Sequence, residues 1–148
     1  MGVNYDMNKM KRLIQERFDQ LNLKLESIEI DGDFLRYRAA LTLMKKSFTF
    51  RGVIGNHGFG NFECVFGEVA VKADSLIAVN AFNDACNLCK ATISRRGQSG
   101  TYRLVFNRGT QYMTTEEAMA GFSMGVINDL LDDDNEESVK KLFGYLLG

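Results

Sequence analysis

The stretch from Asp74 to Glu117 reads DSLIAVNAFNDACNLCKATISRRGQSGTYRLVFNRGTQYMTTEE and holds a helix, a hairpin and the start of a second helix. Asp74 or Ser75 can accept hydrogen bonds from the first free amides of a helix, and Val79, Phe82, Cys86 and Cys89 then recur at steps of three and four. That face is expected to be buried. Asn80, Asn83 and Asn87 fall together on the other side, and because Asn forms helices poorly, packing rather than propensity has to hold this segment. Beyond it, Lys90 to Arg96 and Thr101 to Phe106 alternate, with Tyr102, Leu104 and Phe106 on one face and Thr101 and Arg103 on the other. Gly97-Gln98-Ser99-Gly100 between them predicts a hairpin turn, and Thr114 and Glu117 have the capping-box spacing that opens a further helix.

Working outward toward the N-terminus, Asn8 to Asn22 carries an apolar stripe of Met10, Leu13, Ile14, Phe18 and Leu21 at helical spacing. Leu25 to Ile30 alternates, Asp31-Gly32-Asp33 turns, and Phe34 to Met44 alternates again, setting Leu35, Tyr37, Ala39, Leu41 and Leu43 against Arg36, Arg38 and Thr42. Ser47 to Val53 and Phe62 to Val71 add one or two more strands around a glycine-rich passage expected to be a flexible hairpin loop. Toward the C-terminus, one helix carries Met119, Phe122, Val126, Ile127, Leu130 and Leu131. The acidic run from Asp132 to Glu137 interrupts, with Asp134 and Glu137 placed to cap a short last helix. The expected class is α+β: a largely antiparallel sheet of five to six strands with helices on one face, in the order α-βββ(β)-α-ββ-α-α, forming one domain over 1–148.

A chain of 148 residues buries roughly 70% of its unfolded surface on folding, so neither metal nor disulfide is required to staple a core. Hydrophobic residues at 45% and charged residues at 25% match globular usage. A net charge of −1 and a pI near 5.9 give no global attraction to phosphate backbones or anionic lipid, so neither nucleic acid nor membrane is the expected partner. No apolar run approaches the roughly 18 residues of a spanning helix, and Met1 to Arg12 is charged where a signal peptide is apolar. A cytoplasmic location is expected, and three cysteines there read as free thiols.

The order of elements, Leu76-Ile77-Ala78-Val79-Asn80 in the middle helix, the strand pair after it and Thr114-Thr115-Glu116-Glu117 opening an amphipathic helix together resemble the YbjN-like family. That family shares the fold of the type III secretion chaperones. The resemblance runs from the first helix to about Leu131, while Gly55 to Gly60 and the last helix depart from the pattern. It implies a small regulator without a catalytic site or cofactor; chaperones of this fold bind extended segments of a partner protein and form homodimers.

The chemistry-bearing residue types are few. Cys86-Asn87-Leu88-Cys89 is a CxxC, but a redox pair belongs at a helix N-terminus, where the dipole stabilises a thiolate, and this pair falls at a helix C-terminus. Core packing is the favoured reading. With His57 and Cys64 it makes a zinc set by number, although a cysteine pair on a helix lacks the glycine turn of a zinc knuckle; zinc-binding or thiol-redox chemistry is the alternative to a binding module. The deaminase pattern fails, since no Glu lies two residues after His57. Gly52, Gly55, Gly58 and Gly60 precede a strand rather than a helix, which argues against a phosphate-cradling loop. The acidic run lacks the mid-loop glycine and spacing of a calcium loop. Arg36, Arg38, Arg51, Arg96 and Arg103 share one sheet face if the alternations hold. That face is either solvated or a docking surface for an acidic peptide or RNA, with the aromatic residues alternating inward and away from it. The expected function is therefore a non-enzymatic, protein-binding, chaperone-like or regulatory module that acts on a protein or peptide partner and is expected to be a homodimer.

Overall fold

In the computed structural model, which describes residues 2–69, 74–85, 89–96 and 101–146, the chain starts with a capped helix. The Asp6 carboxylate accepts from the Asn8 and Lys9 amides at 3.1 and 3.2 Å, opening α1 (Met7–Gln20). Met10, Ile14 and Phe18, one turn apart, are its buried stripe. Four strands follow in antiparallel succession: β1 (Leu25–Asp31), β2 (Phe34–Leu43), β3 (Lys46–Gly55) and β4 (Phe59–Val69). The β1–β2 turn places Gly32 at φ +60, and the β2–β3 turn puts Met44 and Lys45 both at positive φ, the shape a two-residue hairpin needs to match strand twist.

After β4 come α2 (Ser75–Ala85), β5 (Lys90–Arg96), β6 (Thr101–Asn107) and the two-residue β7 (Gln111–Tyr112). The sheet order is β1-β2-β3-β4-β6-β5 with β7 on β4, and every pairing is antiparallel. Seven strands stand where five or six were expected, because a two-residue strand leaves no periodicity to read. The chain ends in α3 (Glu116–Ser123), α4 (Gly125–Leu131), a 3-10 turn (Asp133–Asn135) and α5 (Glu136–Leu146). No helix of the described residues is long and apolar enough to cross a membrane.

All helices lie on one face of the sheet. Along β2 burial alternates without fault, Leu35, Tyr37, Ala39, Leu41 and Leu43 inward and Arg36, Arg38, Ala40 and Thr42 outward. Rings tie the two layers together: Phe18 of α1 meets Tyr37 and Phe50, with centroids 6.0 and 5.8 Å apart. Phe82 of α2 and Phe143 of α5 meet Phe106 of β6 at 5.3 and 6.3 Å. Gly52, opposite Tyr37 in register, admits the tyrosine ring across β3, where a Cβ would collide with it.

Several local expectations change. α2 is described as far as Ala85, and Cys89 is not helical: it is fully buried just ahead of β5, while Cys86 lies outside the described residues, as does the Gly97-Gln98-Ser99-Gly100 turn. Asn83 faces neither water nor a bare helix side; its amide exchanges two hydrogen bonds with the Ala91 backbone, at 3.0 and 2.7 Å, and docks α2 to β5. The N-cap of α3 is Thr115, accepting from the Ala118 amide, while Glu117 pairs with Lys9 of α1 at 2.6 Å instead of closing a box with Thr114. The expected single helix breaks at Met124 (φ −93, ψ 0) into α3 and α4, and Gly125 there leaves room for the Arg108 guanidinium. Asp132, not Asp134, makes the cap beyond α4, accepting from the Asp134 amide at 3.0 Å. The glycine-rich turn between β3 and β4 is pinned rather than free: the Asn56 carbonyl accepts from Tyr5, the Gly58 carbonyl from Met113, and the Tyr5 hydroxyl donates to the Met113 carbonyl at 2.6 Å.

Candidate binding surfaces

The outward residues of β2, β3 and β6 put Arg36, Arg38, Arg51 and Arg103 on the helix-free face, as the alternation predicts. Arg96 ends β5, and its side chain is not among those described. Arg36 pairs with Asp31 at 3.8 Å and lies over the Phe34 ring, 5.3 Å from its centroid. Arg51 is held by Glu63 of β4. The aromatics do not all turn inward: Phe34 and Phe59, with centroids 5.8 Å apart, sit on this same face, and Gly55 between them is open because a Cβ would strike the Phe59 ring. The sheet's centre forms a shallow trough of about 680 Å³ lined by Arg51, Glu63, Lys90, Thr92, Arg103 and Asn107 among others.

A second surface escaped the sequence reading. Between α2 and α5 runs a groove of about 650 Å³ lined mainly by Ile77, Ala78, Ala81, Phe82, Leu142 and Tyr145, with Asp74, Ser138 and Lys141 as its polar lining. α2 buries Ala78, Val79 and Phe82 at the expected spacing but leaves Leu76 and Ile77 64% and 68% exposed, and Tyr145 of α5 is 54% exposed. Large apolar side chains gathered around a concavity with a polar border are the ordinary makeup of a binding groove. The signal was present in Leu76-Ile77-Ala78-Val79, an apolar arc wider than one core-facing stripe requires. Alanines at 78, 81 and 85 leave the space between the helices unfilled.

Among the described residues the candidate sulfur and imidazole groups are not assembled. His57 is exposed in the β3–β4 turn, Cys64 is fully buried on the inner face of β4 and Cys89 is fully buried ahead of β5. Among the described residues no cluster of three or more His, Cys, Asp and Glu could hold a metal ion. Burial, reinforced by the neighbouring Glu63 charge, pushes the Cys64 thiol pKa well above its ordinary range, the opposite of a nucleophile's need. Native-state alkylation read by peptide mass spectrometry is expected to modify Cys64 and Cys89 on the order of a thousandfold more slowly than a free thiol, since labelling waits on an opening that costs several kcal/mol. Rapid labelling of either would return them to the list of reactive groups.

The acidic run does local work: Asp132 caps the 3-10 turn, and Glu136 and Glu137 pair one turn ahead with Lys140 and Lys141 at 3.0 and 3.4 Å.

No family model matches this sequence, and no curated protein matches it. Among solved structures, the crystal structure of YbjN from E. coli, a candidate transcription regulator, is similar over 99% of this chain and 98% of its own, at 16% identity and a TM-score of 0.59. At that identity the likeness is one of fold. The chain has a YbjN-like fold.

Proposed function

We propose that the chain is a cytoplasmic, non-enzymatic binding module that takes an apolar segment of a partner protein into the groove between α2 and α5 and acts, as a regulator or chaperone, through that contact. The observation that carries this reading is the exposure of Ile77 and Tyr145, which line a concavity whose wall, Phe82 and Leu142, is continuous with the core. An apolar segment laid there covers surface that water otherwise wets, with Asp74, Ser138 and Lys141 available to fix its register. A regulatory role accords with the fold's likeness to YbjN, itself described as a candidate transcription regulator. The competing occupant is a second copy of the chain.

Display of random peptides on the wild-type protein, counter-selected against Ile77→Asp, tests the reading. Enriched peptides are expected to carry apolar anchors and to lose at least about tenfold in affinity, or 1.4 kcal/mol, on Ile77→Asp and on Tyr145→Asp, while light scattering shows the expected homodimer in the wild type and in both variants. No enrichment, or peptides indifferent to both substitutions, overturns the proposal. So does a dimer that Ile77→Asp converts to monomer, which assigns the groove to self-association.

A further inference from the structure

We infer that the helix-free face holds a site for a compact oxyanion, a phosphoryl group, between Arg38, Arg51 and Arg103. The three residues come from β2, β3 and β6 and, with Thr49, Val65 and Gly67, line a concavity of about 180 Å³ beside the larger trough. Among the described residues its lining carries three guanidinium groups and no carboxylate.

Such a cluster repels itself. Arg38 and Arg51 stand directly opposite in the β2–β3 register, the position where like charges destabilise a sheet. One partner is supplied: Glu63 holds Arg51, from outside the concavity. Arg36, on the same face, has Asp31. Arg38 and Arg103 have no carboxylate partner among the described residues, and the Arg103 Nε–H is shielded from water with no acceptor. A dehydrated cationic donor without an acceptor is a standing cost that an incoming anion removes.

The geometry points to phosphoryl rather than to a carboxylate or a base. A carboxylate offers two oxygens in one plane and is satisfied by one planar fork, whereas a phosphoryl group presents three oxygens in three directions. Here the forks arrive from three strands, with the Thr49 hydroxyl in the lining as a further donor and Val65, almost fully buried, as a floor that excludes water. Gly67 completes the lining without a side chain of its own. Among the described residues the rings of this face are Phe34, Phe59 and Tyr112, which stands opposite Phe59; they gather at the Gly55 end of the sheet, and Gly55 is four residues along β3 from Arg51 and so about 13 Å away. They offer no platform on which a base could stack beside the arginines, so what is read is the phosphoryl group itself. This site is separate from the α2–α5 groove, on the opposite side of the sheet, and stands or falls without it.

The probe is inorganic phosphate, titrated against the whole chain at constant ionic strength and followed by the amide and arginine Nε–H nuclear magnetic resonances. Saturable shifts are expected at Arg38, Thr49, Arg51 and Arg103. Arg103→Gln is expected to weaken phosphate at least about tenfold, and Arg36→Gln, whose partner is Asp31, to leave it unchanged. Shifts that never saturate, that chloride reproduces, or that Arg103→Gln and Arg36→Gln affect alike overturn the site. Phosphoserine and adenosine 5′-monophosphate then distinguish the carrier: displacement of phosphate by either supports the site and the tighter one names its source, and displacement by neither overturns it.

Discussion

Phe106→Ala is expected to cost about 3–5 kcal/mol of folding stability, a large part of the roughly 5–15 kcal/mol that a native domain commands. Phe106 is fully buried in β6 and packs against Phe66, Phe82 and Phe143, so β4, α2 and α5 all meet on its ring. Truncation removes the transfer free energy of the ring and leaves a cavity whose walls come from four separate elements, none of which can collapse into it without moving the others. Denaturant unfolding reads the effect as a lowered midpoint. Two controls sharpen it. Phe106→Leu fills most of the volume and is expected to cost less than about 1.5 kcal/mol, and Phe34→Ala, at the edge of the open face, should cost far less than Phe106→Ala. Equal costs for Phe34→Ala and Phe106→Ala would mean that the two sheet faces are not core and surface as described. Because Phe82 and Leu142 line the α2–α5 groove and Phe82 rests on Phe106, the alanine variant should also blunt peptide binding under conditions where it remains folded.

What was legible in the sequence was the layer each residue belongs to. The alternation of β2 set Leu35, Tyr37, Ala39, Leu41 and Leu43 correctly against Arg36, Arg38 and Thr42, because a period of two admits only one inward set once Leu35 and Tyr37 are buried. The helical stripe of Met10, Ile14 and Phe18 was equally plain. What local pattern could not show was the partner of each polar group. Glu117 has the capping-box spacing, yet Lys9, from the far end of the chain, holds it. Asn83 looks like a weak helix former until Ala91 stands beside it. The same limit governs the two candidate surfaces. The arginines were placed on one face from periodicity alone, while the concavity among them depends on the β4–β6 register, whose irregularity between Phe66 and Val69 no propensity announces. Leu76 and Ile77 were read as part of a helix; that α5 leaves them uncovered is a fact of tertiary packing.

Removing Arg108 should destabilise the fold in a pH-dependent way, and the sign follows from Asp129. The Asp129 side chain is buried on α4, its carboxylate accepts from the Cys89 amide, and the Arg108 guanidinium from beyond β6 approaches Oδ2 at 3.8 Å, leaving that oxygen without a hydrogen bond. Burial raises the Asp129 pKa above its ordinary value of 3.8, Arg108 opposes the rise, and Asp132 adds to it. The folded chain therefore holds the Asp129 proton to a higher pH than the unfolded chain does. Between the two pKa values the native state binds more protons, so this group's contribution to stability declines as pH rises through that window and is level above it. Arg108→Gln takes away the cation of the ion pair, widens the window and leaves a buried carboxylate without that compensation. A fully buried pair broken this way costs about 3–5 kcal/mol; the long Arg108 contact and its partial exposure bring the expectation to about 2 kcal/mol at neutral pH. As the pH is lowered and the raised Asp129 carboxyl takes up its proton in the variant, the loss should shrink toward the contact of Arg108 over the Phe122 ring, about 0.5–1 kcal/mol. Asp129→Asn added to Arg108→Gln removes the stranded charge while keeping an acceptor for the Cys89 amide, and should recover most of the difference at neutral pH. Urea unfolding of the four proteins at acid and at neutral pH measures this cycle. A cost of Arg108→Gln that is the same at acid and neutral pH, or one that Asp129→Asn deepens, would show that the guanidinium holds α4 to β6 by packing and not by charge.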